Sequence, residues 1–212
     1  YPAYVKEGSE EIDMICMMCD DQTLGFTVGP AKRRALGEYD VHVQMKYCGI
    51  CHSDLHLSMD EFGFAVYPMC PGHELAGVAV AVGSKVTKFA VGDKVGIGCF
   101  VDSCLECDKC LAGDEQYCRK GMTATYGNPD FHGRSPVGSG PATFGGYSSQ
   151  MVIHERFAIK IPALFPLEAA GPVMCSGITS THVVSRSHCD LGSKGRPQQP
   201  DARVSPSQCT IL

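Results

Sequence analysis

The chain has 212 residues, of which 44% are hydrophobic and 19% are charged, and its formal net charge is -5. These values are typical of a soluble globular protein of one domain, or of one domain and part of another, and they exclude a chain that is disordered throughout. The acidic balance, and the lack of a cluster of lysines and arginines on a recognisable helix face, argue against nucleic acid as a partner.

The chain contains 13 cysteines, an odd number, and six of them fall at positions that suit a metal. This usage indicates reduced thiols rather than a disulfide framework, so we expect a cytoplasmic protein. Residues 1–11 carry charges and no long apolar run, so neither a signal peptide nor a membrane span is predicted. Because the first residue is Tyr1 rather than Met, we expect that the true start is missing.

Strand patterns dominate the chain as far as residue 161. Short segments with alternating or continuous apolar residues are separated by Gly and Pro, which favours a mainly β protein built as a partly open β-barrel. The predicted strands are Asp40–Tyr47, Leu75–Val82, Phe89–Val95, Ser149–His154 and Phe157–Ile161. Only Leu164–Ile178 has a helical pattern.

The last part of the chain, from Ser185 to Leu212, is rich in Ser, Gln, Pro, Arg and Gly and has no hydrophobic period, so it is predicted to be disordered. We therefore expect a lead-in over residues 1–30, whose structure the sequence determines poorly, a folded zinc-binding domain over 31–184 and a polar tail over 185–212. The final residues, Cys209–Leu212, match a prenylation box, but no basic cluster precedes them, and prenylation of Cys209 stays open.

Four cysteines lie in one short loop with the spacing Cys-x2-Cys-x2-Cys-x7-Cys. They are Cys104, Cys107, Cys110 and Cys118. Four thiolates on one loop suit a tetrahedral structural zinc with no open position. Two disulfides or free thiols are the alternative, which the close x2 spacings in a cytosolic chain disfavour.

A second set of metal-type residues is spread along the chain, and it consists of Cys51, His73 and Cys175. Two sulfurs and one imidazole form an open zinc site, in which the fourth position is left for water or substrate. Each residue taken alone could be a packed core side chain. However, the run from Cys51 to His56 also holds a hydroxyl, a carboxylate and two imidazoles, which are costly to bury for packing alone.

These motifs together resemble the zinc-dependent medium-chain alcohol dehydrogenases, in particular the cinnamyl-alcohol-dehydrogenase-like branch. The resemblance rests on Tyr47–His56, on Gly72-His-Glu-x2-Gly77-x5-Gly83-x2-Val86, on the Cys104–Cys118 loop and on Ala169–Cys175. It covers residues 31–184 and implies a GroES-like catalytic domain, a partly open β-barrel with a few short helices. It also implies two zinc ions, a small alcohol or aldehyde as substrate and NADP(H) as cofactor.

The resemblance implies a role for each residue of the scattered set. Cys51, His73 and Cys175 would be ligands of the catalytic zinc, and Glu74 would be a transient ligand behind it. Asp54 would accept the free ring N–H of His73. An ordinary helix-cap or surface carboxylate is the alternative for Asp54 and for Glu74.

Three further residues would serve the proton and the cofactor. By the same resemblance, Ser53 would take the alcohol proton and pass it, through the cofactor ribose, to His56 near solvent, and His52 would face the pyrophosphate. A turn serine and solvent-facing histidines are the alternatives. Met122 and Tyr126 could line a substrate pocket or simply pack, and Cys48, Cys70 and Cys99 are expected to be core cysteines.

The sequence departs from the family after Cys175, where a nucleotide-binding domain opened by Gly-x-Gly-x-x-Gly is expected. Gly138-Ser-Gly140 and Gly192-Ser-Lys-Gly195 do not have this form. We therefore expect a truncated product that lacks the cofactor domain and the family's homodimer interface. Two hypotheses stay open, an alcohol dehydrogenase represented by its catalytic domain and a zinc-binding module without catalysis.

Overall fold

The computed structural model of the chain describes residues 10–129, 131–132 and 142–181. The predicted polar tail, Cys209 and Gly138–Gly140 lie outside these residues. Strands and helices follow one another as β1 (Ile12–Cys19), β2 (Phe26–Arg33), β3 (Asp40–Cys48), α1 (His52–Ser58), β4 (Leu75–Val82), β5 (Lys94–Ile97), β6 (Phe100–Asp102), α2 (Asp108–Leu111), a 3-10 turn (Glu115–Tyr117), β7 (Thr123–Ala124), β8 (Gln150–His154), β9 (Ala158–Lys160), α3 (Leu167–Pro172) and a π-helical turn (Val173–Gly177). Within the described ranges, no helix has the length and apolar character needed to cross a bilayer.

The central sheet has five antiparallel strands in the order β8-β3-β4-β5-β9. Val41 and Val43 on β3, Leu75 on β4 and Val95 and Ile97 on β5 are completely buried, and they form one continuous core. Two bulges bend β3 where it pairs with β4, and such bulges increase the local twist and curl of a sheet. The mainly β prediction is confirmed.

A two-stranded antiparallel hairpin, β1–β2, packs beside this sheet and was not predicted as strands. Its register runs from Ile12 opposite Arg33 to Cys19 opposite Phe26. Single bridges, Cys16 to Ser148 and Cys19 to Met69, attach β1 to the rest of the domain. Because a two-stranded sheet is marginally stable alone, these attachments and the buried side chains beneath β1 hold it in position.

The predicted strand over Phe89–Val95 is wrong in its first part. Residues Phe89–Asp93 form a turn, in which the Ala90 N–H donates to the Asp93 side chain at 2.8 Å and Gly92 has a φ of 93°. A positive φ favours glycine and ends an extended segment, so strand β5 begins only at Lys94.

The predicted helix over Leu164–Ile178 begins later, at Leu167, and changes to a π-helical turn at Val173. Pro166 lies immediately before α3, which suits a residue with fixed φ and no N–H to donate. The sequence pattern marked only this helix, and the few short helices that the family resemblance implied are present as α1, α2 and α3. Cys175 lies in the π turn, a type of distortion that is frequent at functional sites.

Candidate metal centres and adjoining pocket

The four loop cysteines bring their sulfur atoms within 4.8 Å of one another. The Cys107 and Cys110 sulfurs are 3.5 Å apart, and those of Cys104 and Cys110 are 3.8 Å apart. A zinc tetrahedron with Zn–S bonds of about 2.3 Å has sulfurs about 3.8 Å apart, whereas a disulfide bond is about 2.05 Å long. The donor set therefore fits a four-sulfur metal centre and not a pair of disulfides.

Backbone N–H groups point at these sulfurs. The N–H groups of Cys104, Cys107 and Arg119 lie 3.3, 3.4 and 3.5 Å from the sulfurs of Cys118, Cys104 and Cys107. Hydrogen bonds from the Arg119 and Cys110 backbones lower the pKa of Cys107 to about 6, whereas burial raises the pKa of Cys110 to about 12. The N–H groups stabilise thiolates, and a bound cation would offset the cost of burying several of them.

One arginine connects this cysteine loop to the barrel. Arg156, which follows β8, donates from Nη2 to the Cys110 carbonyl at 2.6 Å and forms an ion pair with Glu115. By contrast, Arg119 and Asp108 form an ion pair at 2.8 Å in which both side chains are more than 60% exposed. The Arg156 contacts are therefore the ones that fix the loop against the sheet.

The scattered residues also come together in space. Ligand atoms of Cys51, His73, Glu74 and Cys175 all lie within 4.8 Å of one another. Cys51 is the N-cap of α1, His73 and Glu74 immediately precede β4, and Cys175 lies in the π turn after α3. Three separate elements therefore supply two sulfurs, an imidazole and a carboxylate to a single point.

Asp54 lies directly behind this cluster and is almost completely buried. Its Oδ1 is 3.0 Å from His73 Nδ1, and its Oδ2 accepts from the Cys51 N–H and the Tyr147 hydroxyl, both at 2.9 Å. Burial opposes the charge on Asp54, but the hydrogen bonds from His73 and Cys51 outweigh it and lower the pKa. Since Asp54 occupies Nδ1, the Nε2 atom of His73 is left to act as the ligand.

Burial and neighbouring acidic groups oppose the ionisation of Cys175 and Glu74 in this cluster. Burial, together with the neighbouring Cys99, Cys51 and Glu74, raises the pKa of Cys175 to about 12. Burial also raises the pKa of Glu74, and Asp54 adds to this effect. Removing protons from several such groups at once requires a cation among them, which is the electrostatic condition of a metal site.

Two glycines allow the backbone to approach Glu74. A Cβ on Gly171 would lie 2.7 Å from the Glu74 carbonyl oxygen, and a Cβ on Gly49 would lie 2.0 Å from a Glu74 carboxylate oxygen. Real Cβ atoms are not found so close to another heavy atom. Gly171 therefore lets α3, and with it Cys175, pack directly against the segment that carries His73 and Glu74.

The cluster opens into a cavity of about 190 Å³. Its walls are formed by Ser53, Leu57, Phe62, Phe64, His73, Cys99, Ala124, Thr125, Tyr126 and Asn128. The Tyr126 ring stacks on His73 with 5.8 Å between centroids, and the Phe62 and Phe64 rings stack at 5.7 Å. The cavity is therefore mainly apolar and aromatic, with His73 at one wall.

The residues predicted for proton transfer lie on α1, and they do not all face the cavity. The Ser53 hydroxyl is 3.6 Å from the Cys51 sulfur and lines the cavity. The rings of His52 and His56 are 4.9 Å apart, and His56 Nδ1 is paired with Glu61 at the surface. The helix thus carries a hydroxyl at the metal cluster and an imidazole one turn away towards solvent.

Two residues of this site, Tyr147 and Cys99, were missed or assigned differently from sequence. Tyr147 holds Asp54 from 93 residues away, and no local motif indicates that contact. Tyr126 lines the cavity, which was one of its two predicted roles. Cys99 was expected in the core, but it is exposed and lies close enough to Cys175 to affect its pKa. Met122 is 38% exposed and is not among the cavity residues.

Comparison with known proteins gives consistent matches. Residues 37–163, more than half of the chain, match the family described as "Alcohol dehydrogenase GroES-like domain". The probable formaldehyde dehydrogenase AdhA of Bacillus subtilis is 50% identical over 173 residues, covering 77% of this chain and 48% of that protein. Cinnamyl alcohol dehydrogenase 8 of Arabidopsis thaliana is 50% identical over 147 residues, covering 69% of this chain and 39% of that protein.

The fold matches solved structures as well. The cinnamyl alcohol dehydrogenase of Helicobacter pylori, solved with NADP(H), superposes with a TM-score of 0.77 at 37% identity, covering 84% of this chain and 50% of that one. An enzyme of the same type from Sorghum bicolor gives a TM-score of 0.76 at 35% identity. The chain spans about half the length of the relatives it matches.

Proposed function

Because the chain belongs to the alcohol dehydrogenase GroES-like domain family, we propose that it is the zinc- and substrate-binding part of an NADP-dependent alcohol dehydrogenase. The reaction is the reversible reduction of an aldehyde to a primary alcohol. The observation that carries the proposal is the convergence of Cys51, His73, Glu74 and Cys175 beside an aromatic cavity, one wall of which is His73. Asp54 lies behind the cluster and is hydrogen-bonded to the Cys51 backbone and to the His73 ring. A chance group of polar residues would not have such a supporting carboxylate.

Zinc at this cluster would supply a Lewis acid that polarises an aldehyde carbonyl. In the proposal Cys51, His73 and Cys175 bind it, and Glu74 occupies or leaves the fourth position. Asp54 holds the His73 ring with Nδ1 protonated, so that Nε2 keeps its lone pair for the metal. The four-cysteine loop holds a second, closed zinc and has no part in the reaction.

The remaining roles fall to Ser53, His56 and His52. The Ser53 hydroxyl lies at the cavity wall beside Cys51, where it can donate to or accept from a substrate oxygen. His56, paired with Glu61 at the surface, is the group that exchanges a proton with solvent. His52, exposed on the same helix, is proposed to meet the cofactor pyrophosphate.

The cavity walls support an apolar, aromatic or unsaturated aldehyde as the substrate class. Phe62, Phe64 and Tyr126 present ring faces and edges to it, and about 190 Å³ accommodates a single small ring with a short side chain. The relatives include a probable formaldehyde dehydrogenase and a cinnamyl alcohol dehydrogenase. The volume of the cavity, about 190 Å³, favours the larger of these two substrate classes.

Cobalt substitution tests the two metal centres without requiring the cofactor. Co²⁺ absorbs visible light, and its bands report coordination, so a protein with two Co²⁺ ions should show one centre whose spectrum changes with imidazole or benzaldehyde. Cys175→Ser should abolish that change, whereas Cys107→Ser should remove the unresponsive centre. A single metal per chain, or two centres that are both inert to added ligands, would contradict the proposal.

A zinc-binding module without catalysis is the second candidate. NADPH oxidation in the presence of benzaldehyde separates the two. Saturable turnover that is lost in Ser53→Ala supports the enzyme. Two metals per chain and a responsive cobalt centre, with no turnover, would support the module.

A further inference from the structure

The loop of residues 144–149, which leads into β8, lies against the backbone that precedes His73. Three of its N–H groups donate to carbonyl oxygens of that backbone, namely Gly145 to Cys70 at 2.6 Å, Gly146 to Gly72 at 2.9 Å and Tyr147 to Pro71 at 2.9 Å. The Tyr147 hydroxyl also donates to Asp54 Oδ2 at 2.9 Å. The 144–149 loop therefore contacts both the segment in front of His73 and the carboxylate behind it.

Arg33, the last residue of β2, binds both ends of this loop. Its guanidinium donates to the Phe144 and Gly145 carbonyls at 2.6 and 2.8 Å, where the loop begins. It also donates to the Ser148 hydroxyl at 2.9 Å and to the Gln150 carbonyl at 3.0 Å, where the loop ends. All of these acceptors are neutral, and Arg33 is 5% exposed. One buried side chain therefore fixes the two ends of the loop, with the tyrosine between them.

A buried guanidinium among neutral acceptors stabilises a fold less than its hydrogen bonds suggest. Its charge has lost the surrounding water, and apolar side chains of similar volume are often as favourable at such positions. What the guanidinium provides is direction, because its N–H groups lie in one rigid plane. Each bonded oxygen is therefore held in a defined place, which a flexible lysine does not achieve. Arg33 thus suits a position where geometry matters more than stability.

The neighbouring Arg34 has a different arrangement. It is also buried, but its guanidinium forms an ion pair with Asp40, which accepts from the Gly37 N–H as well. That pair lies at the start of β3. The two arginines, adjacent in sequence and similar in exposure, therefore support different parts of the domain.

We propose that Arg33 is a positioning residue for the metal centre that contains His73. It acts through the Tyr147 hydroxyl and Asp54. The inference rests on the proposed function, since it concerns the same centre. Arg33 fixes the 144–149 loop, and the loop places the Tyr147 hydroxyl on Asp54 Oδ2. The other oxygen, Asp54 Oδ1, is 3.0 Å from His73 Nδ1 and sets the orientation of that ring. Strand β2 thereby contributes to the centre although none of the clustered ligand residues lies on it.

Zinc affinity, measured by competition with a chromophoric chelator, tests this role. Arg33→Lys should weaken zinc binding at the His73 centre about tenfold, the lower end of the range for groups that orient a metal ligand. Lysine keeps the charge but loses the planar set of donors. Arg34→Lys is the matched control, because it makes the same exchange at an adjacent buried arginine, and it should change the affinity by less than about twofold. The four-cysteine centre is the internal reference and should keep its affinity in both variants.

Cobalt spectra and a double variant separate positioning from a general loss of stability. The visible bands of Co²⁺ at the His73 centre should shift in Arg33→Lys and stay unchanged in Arg34→Lys. Tyr147→Phe removes only the hydroxyl and should also weaken zinc binding about tenfold. Because residues that act through one contact are not additive, Arg33→Lys should weaken binding by less than a further factor of about two in the Tyr147→Phe chain.

The outcomes distinguish this role from the function of the centre. Equal losses of affinity in the two lysine variants, or an undiminished effect of Arg33→Lys in the Tyr147→Phe chain, would overturn the proposal. If Arg33→Lys does not fold, Ser148→Ala decides, because it removes one acceptor of Arg33 and should weaken zinc binding about threefold; an unchanged affinity then refutes the role. A cobalt centre that responds to imidazole but is identical in Arg33→Lys refutes the role of Arg33 and leaves the proposed function intact. The lack of a responsive centre in the original chain would refute both.

Discussion

His73 Nδ1 lies 3.0 Å from Asp54 Oδ1, and the two side chains are only 6% and 4% exposed. The same carboxylate also holds the Cys51 backbone and the Tyr147 hydroxyl. One buried anion therefore orients two of the four groups in the ligand cluster. The orientation of the histidine ring is a property of Asp54 as much as of His73.

Asp54→Asn should weaken zinc binding at the Cys51, His73 and Cys175 centre about 10- to 100-fold, the usual effect of losing the carboxylate behind a histidine ligand. The amide loses the negative charge and turns an NH₂ group towards the Cys51 N–H or the Tyr147 hydroxyl. Competition with a chromophoric chelator measures the affinity. Asp13→Asn, at an exposed position of β1, is the control. Equal affinities for both variants would refute the role of Asp54.

Cys107→Ser and Cys51→Ser should differ in what they cost. Loss of the closed centre should lower the free energy of unfolding by about 4 kcal/mol or more, because removing a structural metal is among the largest single effects. Cys51→Ser should cost under about 2 kcal/mol while its own metal is lost. Urea titration with metal analysis on each variant gives both quantities. Similar costs for the two variants would contradict the division into structural and open centres.

Gly171→Ala should displace α3, because the new Cβ would lie 2.7 Å from the Glu74 carbonyl oxygen. The expected loss is about 1–3 kcal/mol of stability, as for other overpacked positions, with weaker metal binding at the centre that includes Cys175. The alanine also favours helix formation, so a net stabilisation would show that α3 moves freely. Gly29→Ala on β2, where a Cβ meets nothing within 4 Å, should leave both quantities unchanged.

Arg156→Gln should loosen the cysteine loop. Losing the charged donor to the Cys110 carbonyl should cost about 1.5–3 kcal/mol and should speed zinc release from that loop to a chelator. Arg119→Gln removes only an exposed pair on the same loop and should cost under about 1 kcal/mol. Release rates that are the same in both variants would mean that the loop does not depend on its connection to the barrel.

Local patterns predicted much of the sheet. The alternation in Asp40–Tyr47 and the apolar run of Leu75–Val82 correspond to β3 and β4, since both strands bury at least one face against the core. Strand β1 escaped prediction because Met and Cys occupy both of its faces and hide the period of two, and β2 contains Gly29 and Pro30, which usually interrupt strands.

The parts of the candidate site that lie within sequence motifs were predictable. Metal-type residues have recognisable neighbours in sequence, and those of both clusters come together in space. The contact of Tyr147 with Asp54 and the closeness of Cys99 to Cys175 depend on how distant segments pack. Helix α1 was missed because seven residues with three polar side chains at its start give too short a pattern.

The spacing of the two ligand sets has a consequence for the order in which the metals bind during synthesis. All four sulfurs of the loop lie within residues 104–118, so that centre can close as soon as this short segment leaves the ribosome. The other centre forms only after Asp54 has met Tyr147 and Cys51 has met Cys175, which lies close to the end of the described residues. Contacts so distant in sequence form late. In a cell short of zinc, we therefore expect chains that carry metal in the cysteine loop, but none at the Cys51, His73 and Cys175 centre, to accumulate first.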